Sequence, residues 1–98
     1  MKMIMAVYNV AVDDDVMEAV TEAGVCCFTK FPRALGKGKR SGPRLDNHVW
    51  PGANSVTLMV VPDEKAPAVM AALARLRESV GATEGVKAFL LNVEQQLD

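Results

Sequence analysis

Met1-Lys2-Met3-Ile4-Met5-Ala6-Val7-Tyr8-Asn9-Val10-Ala11-Val12 opens the chain as a nearly continuous apolar run. Such a run has no polar face to show to water, and its valines and tyrosine favour extended backbone. It therefore predicts a strand covered on both sides, which means a central one. Ser55 to Val61 reads the same way, so two central strands are expected.

Outward from the first strand, Asp13-Asp14-Asp15 predicts a helix start. One of these carboxylates is expected as the N-cap, Asp15 and Glu18 have capping-box spacing, and all three favour the positive end of the helix dipole. Val16, Met17, Val20 and Ala23 make one apolar stripe, and Gly24 is placed to end the helix. Val25 to Phe31 predicts a second, more exposed strand, with Pro32 weakening its pairing. Cys26 and Cys27 would then point to opposite faces of that strand as small buried hydrophobes. The segment from Arg33 to Asn54 is rich in Gly, Pro and charge without a sustained period, and predicts a long functional loop.

After the strand at Ser55 to Val61, Pro62 ends the pairing and Asp63 is expected to cap a second helix, with Pro67 in its first turn. Ala66, Val69, Met70, Leu73, Leu76 and Val80 mark its buried face, Arg75, Arg77 and Glu78 lie largely outside it, and Gly81 closes it. Val86 to Val93 predicts the last strand. The result is an α+β, ferredoxin-like βαββαβ arrangement with a four-stranded antiparallel sheet, strands one and three central. Residues 1–98 make one domain. Both helices share one sheet face. The other face is apolar, and at 50% hydrophobic residues in 98 positions a neighbouring copy is expected to cover it.

The formal net charge of -1 speaks against a general nucleic-acid binder or a membrane-surface protein. No apolar run is long enough for membrane insertion and no export signal is visible, so a cytoplasmic location is expected. Lys30, Arg33, Lys37, Lys39, Arg40 and Arg44 share a stretch without acids, which suggests one anionic ligand or partner. Gly36, Gly38 and Gly42 punctuate it. Glycines let backbone N–H groups approach an anion, and Lys37, Lys39 and Arg40 add charge. It is not a Walker loop, because the glycine spacing and terminal Lys-Ser/Thr pair are missing.

His48 is the lone histidine. It could join Asp46 in a metal site only if several copies met around an axis. Trp50, before a Pro-Gly turn, could pack on a neighbour or lie under a ligand ring. No residue pattern pairs a nucleophile with a base, so no enzyme activity is expected.

Several segments together resemble the PII signal-transduction family nearly end to end. They are Lys2 to Val7, Glu22-Ala23-Gly24-Val25, Gly36-Lys37-Gly38-Lys39-Arg40-Ser41-Gly42, Val60-Val61-Pro62-Asp63-Glu64 and Gly85 to Glu94. The glycine-basic segment is similar to the entry of that family's mobile T-loop. The resemblance implies a homotrimer with ligand clefts between subunits and no required cofactor. It also implies a small anionic effector such as an adenine nucleotide, and an unknown regulated enzyme or transporter controlled through the loop. It points to Gly36, Gly38, Lys39, Arg40 and Lys87 as ligand-binding residues.

The chain departs from the family pattern in three ways. Gly81-Ala82-Thr83-Glu84-Gly85-Val86-Lys87 stands in place of a Gly-rich phosphate turn and carries an acid. The tail lacks the arginines that follow the family's last strand. The loop is short and has no tyrosine, so uridylylation is not implied. A divergent member is the description these residues support. The alternative is a divalent-metal protein resembling the CutA type, which shares the architecture and would use His48, Asp46 and Cys26.

Overall fold

The computed structural model describes residues 1–39 and 42–98. Strand β1 (Lys2–Asn9) leads through a 3-10 turn (Val10–Val12) into helix α1 (Asp13–Glu22). Strand β2 (Thr29–Ala34) is followed by a short ribbon of β3 (Gly36–Gly38) and β4 (Gly42–Arg44). Strand β5 (Asn54–Val61), helix α2 (Ala66–Val80) and strand β6 (Lys87–Asn92) complete the order. The main sheet runs β2-β5-β1-β6, with each neighbouring pair antiparallel. The two doubly apolar strands are the central ones, as their composition requires.

Side chains alternate across a strand, and burial follows that alternation. Ile4, Ala6 and Tyr8 of β1 and Thr57, Met59 and Val61 of β5 lie buried under the helices. The apolar ones meet Val16 and Val20 of α1 and Val69 and Leu73 of α2 in one core, and Thr57 Oγ1 lies 2.8 Å from Tyr8 Oη. The opposite face presents Met5 beside Leu58 and Phe89, and Val56 beside Val7 and Phe31. Phe31 and Phe89 are about half exposed, at 54% and 50%. Within the protomer this apolar face is uncovered.

Several local expectations are corrected. The first strand stops at Asn9, three residues early, because the Asn9 side chain accepts a hydrogen bond from the Ala11 N–H and starts the 3-10 turn. None of the three aspartates caps α1, and neither does Asp15 with Glu18 act as a box. All three lie in its first turn, where they still complement the dipole. Asp13 turns inward instead: it accepts from Tyr8 Oη at 2.7 Å and pairs with Lys30 Nζ at 2.8 Å. Burial and the Asp13 carboxylate push the Tyr8 hydroxyl up to about 12, so it remains a neutral donor. Burial alone would raise Asp13, but the hydrogen bonds from Lys30 and Tyr8 outweigh it and hold the carboxyl below its ordinary value. Asp63 likewise caps nothing; it lies in a 3-10 turn (Asp63–Lys65) ahead of α2.

Gly24 and Gly81 end the two helices at φ 104 and 90, where a side chain would be strained. Beyond Gly24 the chain does not enter the sheet at once. Residues 25–28 have no strand pairing, so Cys26 and Cys27 are exposed rather than buried on alternate faces. Pairing starts at Thr29, opposite Leu58, and is interrupted by a register shift between Phe31 and Ala34. That irregularity on an edge strand accommodates Pro32, which has no N–H for a ladder.

The described residues of the expected long loop at 33–54 also hold more regular structure than their composition suggests. Besides the ribbon, Asn47 Oδ1 accepts from the N–H groups of Val49 at 3.1 Å and Trp50 at 2.7 Å. Leu45 and Asp46 donate to the carbonyls of Trp50 and Gly52. An asparagine bonding forward to the backbone in this way builds a turn where composition predicts only coil. Among the described residues no helix is long and apolar enough to cross a membrane.

Candidate functional site

The acid-free cationic stretch does not act as a unit. Lys30 is taken up by Asp13, and Arg33 grips Asp46 through Nη2 at 2.6 Å and Nε at 3.2 Å. Arg44, 8% exposed, donates to Asn54 Oδ1 at 3.0 Å and to the Thr83 carbonyl. Each of these three cations already has a partner within the protomer. Lys37 and Lys39 make no ion pair among the described residues. Arg40 lies outside the described residues.

Lys39 comes to a corner of the molecule. A cavity of about 250 Å³ is lined by Gly38, Lys39, Arg77, Ala82, Gly85, Val86 and Lys87. The ribbon delivers Gly38 and Lys39, the last turn of α2 delivers Arg77, and the start of β6 delivers Lys87. The described lining holds three cations and no carboxylate. Glu84, which the sequence places in the phosphate-turn position, is not part of it. An adjoining concavity of about 540 Å³ shares Arg77, Ala82, Val86 and Lys87 and adds Met70, Leu73 and Glu78 among others. That volume is in the range of small-ligand sites. Converging positive charge in a concave, partly apolar corner is suited to hold a multiply charged anion.

Of the expected ligand residues, Gly38, Lys39 and Lys87 are thus brought together. Gly36 plays a different part, at the base of the ribbon. A Cβ there would come within 2.8 Å of Asn54 Nδ2, so a side chain at residue 36 would push the Asn54 amide from its place. Arg77 lies off the buried stripe of α2 and is exposed, as its helical position predicts. What helical periodicity does not show is that the chain after Gly81 folds back beside it.

Arg44 ties the site together. Its guanidinium joins β4, Asn54 at the entry to β5, and the turn that leads to Lys87. Arg44→Ala would leave the Asn54 amide and the Thr83 carbonyl without this partner. We expect a loss of about 1–3 kcal/mol in urea denaturation, the cost of unpairing part-buried polar groups. An unchanged midpoint would show that the Arg44 hydrogen bonds add nothing to the stability of the fold.

Asp46, committed to Arg33, and exposed His48 are not joined by further ligands. Among the described residues no group of three or more His, Cys, Asp or Glu side chains is placed to hold a metal ion. No observation favours the CutA-like alternative.

Residues 1–97 match the family model described as nitrogen regulatory protein P-II. No curated protein matches the chain by sequence. Among solved structures, it is similar to CPII of Thiomonas intermedia K12, a nitrogen regulatory PII-like protein bound to ADP, AMP and bicarbonate. Identity there is 18% over 91% of this chain and 81% of that one, with a TM-score of 0.74. The apo form of the same protein gives 16% identity over 91% and 84%, with a TM-score of 0.67. A candidate PII-like signalling protein from Thermus thermophilus gives 23% over 94% and 85%, with a TM-score of 0.63.

Proposed function

Because the chain belongs to the nitrogen regulatory protein P-II family, we propose that it is a regulator whose effector is an adenine nucleotide held at the corner of Gly38, Lys39, Arg77 and Lys87. The observation that carries this reading is the meeting of three cations in one concavity without an acid in its described lining. Phosphate groups match that arrangement: each cation offers a charge-assisted hydrogen bond, and Gly38 and Gly85 leave backbone open to close approach. That CPII was solved with ADP and AMP supports the nucleotide as the effector class.

In this reading the 98 residues act as one domain per protomer. The uncovered sheet faces meet around an axis in a homotrimer, and each cleft is completed by a neighbour. Occupancy changes the posture of the ribbon, because Arg44 links it to the turn beside the effector. The loop at 45–52 moves with it and exposes or withdraws Val49 and Trp50, 73% and 46% exposed, from a regulated protein. The protein then works by presenting two surfaces and catalyses nothing.

Thermal unfolding with ATP, ADP and AMP tests the proposal. A bound effector stabilises by mass action, about 2.7 kcal/mol at a concentration a hundredfold above its dissociation constant. We expect a dose-dependent rise in melting temperature with at least one of the three. No rise with any of them would remove the nucleotide reading.

A further inference from the structure

Cys26 and Cys27 lie between α1 and β2, in a segment with no strand pairing. Adjacent residues in a paired strand would send their sulfurs to opposite faces. Here the backbone leaves α1 through the Gly24 turn, anchored by the Val25 N–H on the Val20 carbonyl at 3.0 Å. Freed from the ladder, the two side chains converge, and Cys26 Sγ stands 3.5 Å from Cys27 Sγ. Both residues are exposed, although cysteine is among the most buried residue types.

A sulfur separation of 3.5 Å is close to the bite of two thiolates on one ion. Two sulfurs about 2.3 Å from a shared tetrahedral zinc would lie about 3.8 Å apart. Zinc, however, completes four ligands, and among the described residues no third His, Cys, Asp or Glu joins the pair. Soft thiolates without further protein ligands suit a soft ion of low coordination number. Fewer ligands open the angle at the metal beyond the tetrahedral value, so on binding the two sulfurs must move apart from 3.5 Å, a change that two exposed side chains outside a ladder can make. We propose that Cys26 and Cys27 form a two-thiolate site for a soft monovalent cation of the copper(I) class. On binding, each S–H bond breaks and one S–metal bond forms at each sulfur. Two protons pass to solvent, no electron changes hands, and a dithiolate complex of net charge minus one results. The site lies on a different segment from the cationic corner and does not depend on the nucleotide reading.

The test is an anaerobic titration of the full chain with copper(I) in competition with a chromophoric chelator. We expect about one copper per protomer, with thiolate-to-copper absorption in the ultraviolet. Uptake and absorption should vanish in Cys26→Ser and also in Cys27→Ser, since a two-sulfur bite needs both. The melting temperature of each should match that of the parent, because neither side chain is buried. His48→Ala should take up copper as the parent does. The proposal is overturned if the parent takes up none, if either serine variant retains parental uptake, or if His48→Ala abolishes it.

Discussion

Lys87→Ala is expected to weaken binding of ADP by about 10- to 150-fold, the equivalent of one charge-assisted hydrogen bond of roughly 1.5–3 kcal/mol. Lys87 opens β6, directly after the turn closed by Gly85, and lines both concavities that meet at the corner. Its ammonium has no acid to satisfy it among the described residues, so its charge is available to a phosphate. Arg77→Ala should act in the same direction and the pair should exceed either alone, because both cations face one anion. Lys37→Ala is the control: Lys37 is also a lysine, exposed, and outside the lining, so only a weak, salt-screened effect is expected. Calorimetric titration of the parent and these variants at fixed ionic strength reads this out. A Lys37→Ala loss equal to that of Lys87→Ala would mean that only diffuse charge matters.

Leu58→Glu is expected to turn the proposed trimer into a monomer. Leu58 sits in the middle of β5 on the uncovered face, between Met5 of β1 and Thr29 of β2. In the assembled protein a carboxylate there would be buried without a partner, a cost of several kcal/mol per site, repeated in each protomer. In the lone protomer the same position is only partly covered, so the carboxylate stays hydrated and the fold under the helices is preserved. Sedimentation should therefore move from three times the 10.5 kDa chain mass to one, with the helical circular dichroism retained. Arg75→Glu, a charge change of larger size on the exposed surface of α2, should leave the assembly intact. Unaltered sedimentation of Leu58→Glu would place the subunit contact elsewhere.

The layout of the sheet is legible in the sequence because its cause is local. Consecutive apolar residues, Met3 to Val7 in β1 and Leu58 to Val61 in β5, put apolar side chains on both faces of these strands and mark them as central, and that pattern is visible in a row of residues. Helix ends at Gly24 and Gly81 are legible for the same reason: left-handed backbone selects glycine. What the row of residues hides is the partner. Lys30, Arg33 and Arg44 look alike beside Lys39, yet their acids and carbonyls lie at Asp13, Asp46 and Thr83, separations no periodicity encodes. The helical stripe assigns Arg77 to the exposed side correctly, but not its neighbours in the cavity, since the turn that folds back beside it is a tertiary event. Asp13 reads as a cap because short acids at helix starts commonly are, but a buried tyrosine hydroxyl competes for the same oxygen. Cys26 and Cys27 are misplaced when strand alternation is extended back beyond Thr29, where pairing begins.

A crystal structure of the protein grown with ADP examines the account at its centre. The diphosphate should lie between Gly38 and Lys39 of the ribbon and Arg77 and Lys87 of the turn, with a second protomer closing the cleft. Nucleotide bound away from those four residues, or clear empty density there at saturating ADP, would contradict it.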